Sequence, residues 1–296
     1  MPLATTGALL TRAAETRSAV AAFNIITLEH VEAVITGAET AGTPVVLQVS
    51  ENAVAFRGGR LLPLARAAVA AAERARVPVA LHLDHVQSDA LLRQAATAGF
   101  SSVMYDAAGL PYAENLAATR AAADWAHSQG LWIEAELGEI GGKRGGPPLD
   151  AHAPGARTDP AAARAFVADS GVDALAVAIG STHAMTTRTA ALDHDLLKRL
   201  AAALDVPLVL HGSSGLPDGE LTAAVTGGIT KINVGTALNI AMTGAIRDFL
   251  AAHPDAVDSR AYLGVGREAM AETVARVIRV LGTAGPGPRP RAAVDS

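Results

Sequence analysis

Three histidines stand where they could share one ion. His85 closes the segment Leu81-His82-Leu83-Asp84-His85, His183 follows the run Ala174-Leu-Ala-Val-Ala-Ile-Gly-Ser-Thr, and His211 ends Pro207-Leu-Val-Leu-His211. Each follows a short apolar run of the kind that forms a buried strand. A single histidine at a strand end is more often a hydrogen-bonded structural residue than a ligand. Three at the ends of three strands can converge, and neutral imidazoles with one coordination position left open describe a catalytic zinc site. Glu136, at the end of a fourth run, is a further ligand or an outer partner that orients a histidine. The chain has no cysteine, so disulfides and thiolate sites are excluded and a metal needs His, Asp or Glu. His30, His127, His152, His194 and His253 fall on helical or loop stretches and read as surface residues.

Side chains alternate along a strand, so Ala80, His82 and Asp84 share one face while Leu81 and Leu83 share the other. The leucines then pack outward on helices, His82 and Asp84 point inward, and His85 begins the loop above. Two glycine-bearing segments add anion chemistry. His211-Gly-Ser-Ser-Gly215 and Lys231-Ile-Asn-Val-Gly-Thr236 each join a strand to a helix, where backbone N–H groups can approach a phosphate. A metal, a carboxylate and a phosphate seat together suit the chemistry of a small phosphorylated substrate.

Such groups must be carried by a scaffold that brings several strand ends together. The apolar runs Val20–Asn24, Pro44–Val49, Pro78–Asp84, Ser102–Tyr105, Trp132–Glu136, Ala174–Ile179, Pro207–His211 and Lys231–Val234 alternate with alanine-rich stretches of helical periodicity. These are Glu29–Ala41, Leu61–Ala75, Asp89–Ala98, Glu114–Ser128, Pro160–Ser170, Asp195–Ala203 and Asp218–Thr226, with a last amphipathic helix over Arg267–Leu281. Crossovers of this length imply parallel strands, and runs apolar on both faces imply a sheet covered on both sides. Asn24, Ser50, Asp84, Asp106, Glu136, Gly180, His211 and Asn233 all fall at or just past strand ends. A closed (β/α)8 barrel places them in one ring at its C-terminal face, where barrel active sites are built and where the loops after strands seven and eight seat phosphate. An open sheet would scatter them. The expected architecture is therefore a single α/β barrel over residues 1–284, with the Pro- and Gly-rich 285–296 as a loose tail.

The chain has 296 residues, half of them apolar and 18% charged, with a formal net charge of −5. That supports a large core and gives no basic footprint for nucleic acid. No apolar run approaches a membrane span and the N-terminus lacks a signal-peptide pattern, so a cytoplasmic protein is the expectation. The stretch Gly138–Thr158 is far longer than an ordinary βα loop and reads as a lid.

The ordered set Ala22-Phe-Asn-Ile25, Gln48-Val-Ser50, Leu81-His-Leu-Asp-His85, Ser102-Val-Met104, Glu134-Ala-Glu-Leu-Gly138, Ala176-Val-Ala-Ile-Gly180, His211-Gly-Ser-Ser-Gly-Leu-Pro217, Lys231-Ile-Asn-Val234 and Arg267-Glu-Ala-Met270 resembles the class II, metal-dependent ketose-bisphosphate aldolases of the tagatose- and fructose-bisphosphate type. By that resemblance, His85, His183 and His211 bind zinc, and Glu136 is a secondary metal contact. Asp84 moves the proton of the acceptor-derived hydroxyl. Gly212, Ser213, Ser214, Asn233 and Thr236 hold dihydroxyacetone phosphate. The resemblance further implies a homodimer or homotetramer in which Arg267 reaches a neighbouring phosphate site, with a monovalent cation as a second candidate cofactor. Splitting a ketose needs an enediolate, whose charge a zinc ion stabilises as a Lewis acid in place of a Schiff-base lysine.

Four positions depart from the family pattern. Ala184 follows the second histidine where glycine is usual, Asp106-Ala-Ala108 replaces Asp-Gly-Ser, and Gly235 stands where Ala or Asp is common. In the lid, Lys143 and Arg144 replace an acidic pair, one member of which exchanges the donor's carbon-bound proton. Either Glu139 or another group takes that role, or the substrate carries an extra negative charge. Two other readings use the same residues: a metal-dependent sugar-phosphate isomerase or epimerase, and a non-catalytic relative that binds sugar phosphate.

Overall fold

A computed structural model describes residues 3–138 and 156–282. Eight parallel strands, β1 (Val20–Asn24), β2 (Val45–Ser50), β3 (Val79–Val86), β4 (Ser102–Tyr105), β5 (Trp132–Leu137), β6 (Ala174–Val177), β7 (Leu208–Leu210) and β8 (Ile229–Val234), close into a barrel in sequence order, with β8 back on β1. The helices are α1 (Thr6–Thr16), α2 (Leu28–Ala41), α3 (Glu51–Phe56), α4 (Leu62–Ala72), α5 (Asp89–Leu92), α6 (Ala95–Ala98), α7 (Tyr112–Ser128), α8 (Pro160–Ser170), α9 (His194–Ala203), α10 (Asp218–Thr226), α11 (Thr236–Ala252) and α12 (Ser259–Gly282). The closed barrel expected from the ring of strand-end polar residues is the architecture observed, with the extra C-terminal helix α12 packed on α2 and α11.

The period-two reading of β3 explains how the site is aimed. Leu81 and Leu83 lie in the apolar layer between strands and helices, while Ala80 belongs to a separate cluster inside the barrel. That inner cluster joins Val20, Ala22 and Val46 to Leu9, Leu10 and Ala13 of α1, so α1 plugs the N-terminal end. Thr5 caps α1 by accepting from the Ala8 N–H. Gly7 is required by contact, since a Cβ there would lie 2.7 Å from the Trp132 ring inside the barrel.

Some elements differ from the sequence expectation. The single helix expected over Asp89–Ala98 is two short turns, because the Gln94 N–H bonds back only three residues, to Leu91, and tightens the chain between them. Strand β6 stops at Val177, and Ala178 exchanges hydrogen bonds with Thr158 rather than continuing the ladder. Helices α1, α3 and α11 were not among the sequence candidates. Glu139, Lys143, Arg144 and His152 lie outside the described residues, as does the 285–296 tail. Among the described residues no helix is long and apolar enough to cross a membrane.

Candidate active site

The strand ends surround a cavity of about 530 Å3 at the C-terminal face. Its lining includes Asn24, Ser50, Asp84, His85, His183, Gly212, Ser213, Ser214, Asn233, Gly235 and Thr236, all singled out in the sequence. The rings of His85, His183 and His211 meet edge to face, with centroids 4.8–5.7 Å apart. One potential ligand atom from each, with one carboxylate oxygen of Glu136, all lie within 4.8 Å of one another. Imidazole and carboxylate together form the nitrogen–oxygen donor set that suits zinc.

The residues around this cluster decide which atoms face its centre. His85 sits in the left-handed region at φ 51°, a conformation that turns the chain sharply after Asp84. Its Nδ1 is hydrogen-bonded to Asp106 Oδ2 at 2.8 Å, which leaves Nε2 for an ion. His211 Nε2 is held by Glu134 Oε1 at 2.9 Å, and its Nδ1 faces Glu136 Oε2 at 3.4 Å. Burial disfavours a charged His211, yet hydrogen bonds and charge from Glu134 and Glu136 outweigh it and push the pKa up to about 9. Two carboxylates around one buried imidazole thus create a demand for positive charge. A divalent cation between the three rings and Glu136 satisfies that demand, so the donor set fits a metal.

Asp84 is almost fully buried, and one oxygen is tied down. Gln48 Nε2 donates to Asn24 Oδ1 at 3.1 Å, and Asn24 Nδ2 donates to Asp84 Oδ2 at 3.0 Å. The relay fixes the Asn24 amide and leaves Asp84 Oδ1 without a hydrogen-bond partner. Burial raises the Asp84 pKa, but the histidines and Lys231 outweigh it and hold the carboxyl below its usual range. Gly235 fits against this relay, since a Cβ there would lie 3.2 Å from Asn24 Oδ1.

The anion-type loops are positioned by each other. A Cβ on Gly212 would strike the Thr182 backbone at 2.7 Å, and one on Gly215 would strike Met185 at 2.6 Å, so the loop carrying His183 lies directly on the loop after His211. Ser213 Oγ donates to the Asn233 carbonyl, and Ser214 Oγ accepts from the Ala237 N–H at the start of α11. Ser50 Oγ accepts from Ala53 N–H and caps α3. Ala184 lines the cavity at φ 58°, a region that favours glycine.

Two expected contacts, those of Lys231 and Gly180, lie elsewhere. Lys231 is fully buried inside the barrel, its Nζ donating to Glu134 Oε2 at 2.7 Å, and it does not line the cavity. Period-two alternation carries the signal, because Lys231 and Asn233 share the inward face of β8. Gly180 also stays out of the lining; at φ 121° its missing side chain lets the Ala191 carbonyl approach. Arg267, expected at a neighbouring subunit's phosphate site, lies on the outer surface of the chain, where it pairs with Glu32 at 2.6 Å. His30 corrects the reading of surface histidines, for it is only 3% exposed and bonds to Thr27 and Asn239. His127, His194 and His253 are at least partly exposed, paired with Asp173, with Glu220 and, by stacking, with Phe249. Glu134 was missed as a site residue, although the Trp132, Glu134, Glu136 alternation places it directly below Glu136.

The profile of the family described as Fructose-bisphosphate aldolase class-II matches residues 4–286. A Bacillus subtilis (strain 168) protein named "Probable fructose-bisphosphate aldolase" is 38% identical over 285 residues, covering 96% of this chain and 99% of that protein. Among solved structures, the YdjI aldolase of Escherichia coli K12 superposes with a TM-score of 0.82 at 33% identity over 96% of this chain and 98% of its own. The fructose-bisphosphate aldolase of Campylobacter jejuni shares the fold, with a TM-score of 0.79 at 21% identity over 95% of each chain. Family profile, curated relative and superposed aldolase agree with the metal-type cluster beside a buried carboxylate: the chain belongs to the class II fructose-bisphosphate aldolase family and is an aldolase, a lyase of carbon–carbon bonds.

Proposed function

We propose that this aldolase holds zinc on His85, His183 and His211, with Glu136 as a further ligand or contact. Its reaction would be cleavage or formation of a ketose 1-phosphate or 1,6-bisphosphate through the enediolate of dihydroxyacetone phosphate. The observation that carries the reading is the meeting of those three rings beside Asp84, in a cavity floored by the Gly212–Ser214 and Gly235–Thr236 loops. A bound divalent cation supplies Lewis-acid stabilisation of the charge that develops on the donor's oxygens.

The chain's own residues supply the rest. Asp84 Oδ1 carries the proton to and from the acceptor-derived hydroxyl, while Asn24 keeps Oδ2 fixed. Gly212, Ser213, Ser214, Asn233, Gly235 and Thr236 anchor the donor phosphate away from the reacting carbons, which fixes their orientation. Ser50 keeps its hydroxyl hydrogen for a substrate oxygen, since its oxygen already accepts from Ala53. Lys143 and Arg144, in place of an acidic pair, favour an acceptor that carries additional negative charge over plain glyceraldehyde 3-phosphate. Exposed Leu28 and Leu250, and Ile240 at 47% exposure, on helices packed against α12 support a homodimer or homotetramer. The cytoplasm is the proposed location.

A panel of ketose 1-phosphates and 1,6-bisphosphates, assayed with and without chelator alongside metal analysis, tests the reading. Chelator-sensitive aldehyde release is expected. Release that survives complete metal removal would sink it. Family-like rates on fructose or tagatose bisphosphate would remove only the altered acceptor.

A further inference from the structure

His30 is a buried titratable group that the reaction does not use. It lies at the start of α2, behind the cavity wall, and both ring nitrogens are engaged. Nδ1 meets Thr27 Oγ1 at 3.0 Å and Nε2 meets Asn239 Oδ1 at 3.4 Å. Burial holds its pKa below the usual histidine value, which keeps the ring neutral near pH 7. A neutral imidazole has one N–H. The amide oxygen of Asn239 can only accept, so Nε2 carries the hydrogen, and Nδ1 is left to accept from the Thr27 hydroxyl, for which the neighbouring Glu29 carboxylate competes.

That direction fixes the far end of the relay. With Oδ1 turned to His30, the two N–H groups of Asn239 Nδ2 are left for the cavity, which Asn239 lines beside Gly235, Thr236 and Ile26. Asn239 lies one turn beyond Thr236 on α11, on the rim of the phosphate-type loops. N–H donors are needed there. Ser213 has given its hydroxyl hydrogen to the Asn233 carbonyl, and Lys231, the cation in that sequence segment, is committed to Glu134 inside the barrel.

We propose that Asn239 is a substrate-contacting residue that donates its amide N–H to a phosphate oxygen of the bound sugar phosphate, and that His30, with Thr27, is a positioning residue that sets the amide's orientation. The assignment rests on the aldolase reading of the cavity. Its ligand chemistry is an oxyanion on a small sugar, and its source of specificity is a neutral donor whose direction is fixed from behind.

Calorimetric titration of the metal-loaded enzyme with dihydroxyacetone phosphate and with inorganic phosphate tests this without turnover. Asn239→Ala should weaken both Kd values about tenfold, the loss of one hydrogen bond to a charged group. Asn239→Asp should weaken them further, since a carboxylate would face the phosphate. His30→Phe should approach Asn239→Ala, His30→Gln should restore part of the loss because its amide can supply the N–H, and Thr27→Val should fall between. In cleavage assays KM should rise by more than kcat falls. Kd values within twofold of wild type for both Asn239 variants overturn the proposal, as does an Asp substitution that binds as well as Ala. Asn239 is exposed on its helix, so its variants keep the test valid if His30→Phe fails to fold. If wild type binds both probes but cleaves no ketose phosphate, the proposed reaction fails while the order of Kd values still decides this assignment.

Discussion

At the N-terminal end of the barrel, Leu9, Leu10 and Ala13 of α1 close on Val20, Ala22, Val46 and Ala80, and every one of these side chains is buried. At the C-terminal end the strands carry Asn24, Ser50, Asp84, His85, Glu136 and Asn233 at or near their last residues, with His211 just beyond β7, and a cavity opens there. Between the two lies a layer that is as buried as the plug and as polar as the mouth: Gln48, His82, Glu134 and Lys231 are at most 1% exposed. One barrel thus does two separate jobs. Apolar burial at the bottom supplies stability and tolerates any filling of the right volume. Buried charge at the top is costly unless each group meets a partner, so it is present only where chemistry needs it. The middle layer is the price of joining them, since Glu134 must stay ionised to hold His211 and Lys231 keeps it so. Burial alone would raise the Glu134 pKa, but Lys231 and the neighbouring histidines outweigh it and lower the value to about 2.

The largest effect expected at the mouth is that of His183→Ala. It removes one ring of the cluster from a loop, where folding should survive, and should abolish both bound metal and chelator-sensitive cleavage. The loss should exceed the roughly 100-fold typical of an outer partner. Retention of stoichiometric metal by elemental analysis would break the assignment. Asp84→Asn comes next, with kcat lowered about 10²–10⁴-fold by loss of the proton-transfer group while metal content is kept. Equal loss of metal would instead make Asp84 a structural member of the cluster.

The bottom of the barrel predicts the opposite split. Leu10→Ala should cost about 2–5 kcal/mol of unfolding free energy by denaturant titration, because the plug cannot collapse around the gap. Its kcat/KM, measured where the protein stays folded, should match wild type. A change in kcat/KM would show that the plug communicates with the mouth. The middle layer is sharpened by Glu134→Gln, which keeps the shape but removes the charge facing Lys231 and His211. Metal affinity should fall about 10–100-fold, read by competition with a chelator.

The sequence carried the strand ends well because period two and the burial of both sheet faces leave one inward register for each strand. His82, Asp84 and Glu136 follow from that rule alone. The same rule, applied to β8, would have put Lys231 inside the barrel, but a lysine beside a glycine-bearing loop invites a phosphate reading. What decides the matter is Glu134, whose position opposite Lys231 depends on barrel closure and not on spacing along the chain. His30 was illegible for a related reason. Its helix looks amphipathic and exposed at that point; the ring is covered through tertiary structure, where α12 packs on α2 and Asn239 of α11 meets Nε2. Helix α1 escaped notice because its apolar residues Leu9, Leu10 and Ala13 face a barrel floor that does not exist until all strands are in place.

The smallest effect expected is also the most local, and it tests how finely the mouth is matched. Gly235 has φ −128°, a value open to any residue, so glycine is not needed there for conformation. It is needed for contact: a methyl would sit 3.2 Å from Asn24 Oδ1, the atom that accepts from Gln48. Asn24 would have to give by a few tenths of an ångström, and Asp84 Oδ2, bonded to its Nδ2, would move with it. Gly235→Ala should therefore lower kcat by about two- to fivefold, of the order of half to one kcal/mol, and leave metal content and unfolding free energy unchanged. A similar loss from Gly244→Ala, at an open position on α11 where a Cβ meets nothing, would show that the effect belongs to the helix and not to the relay.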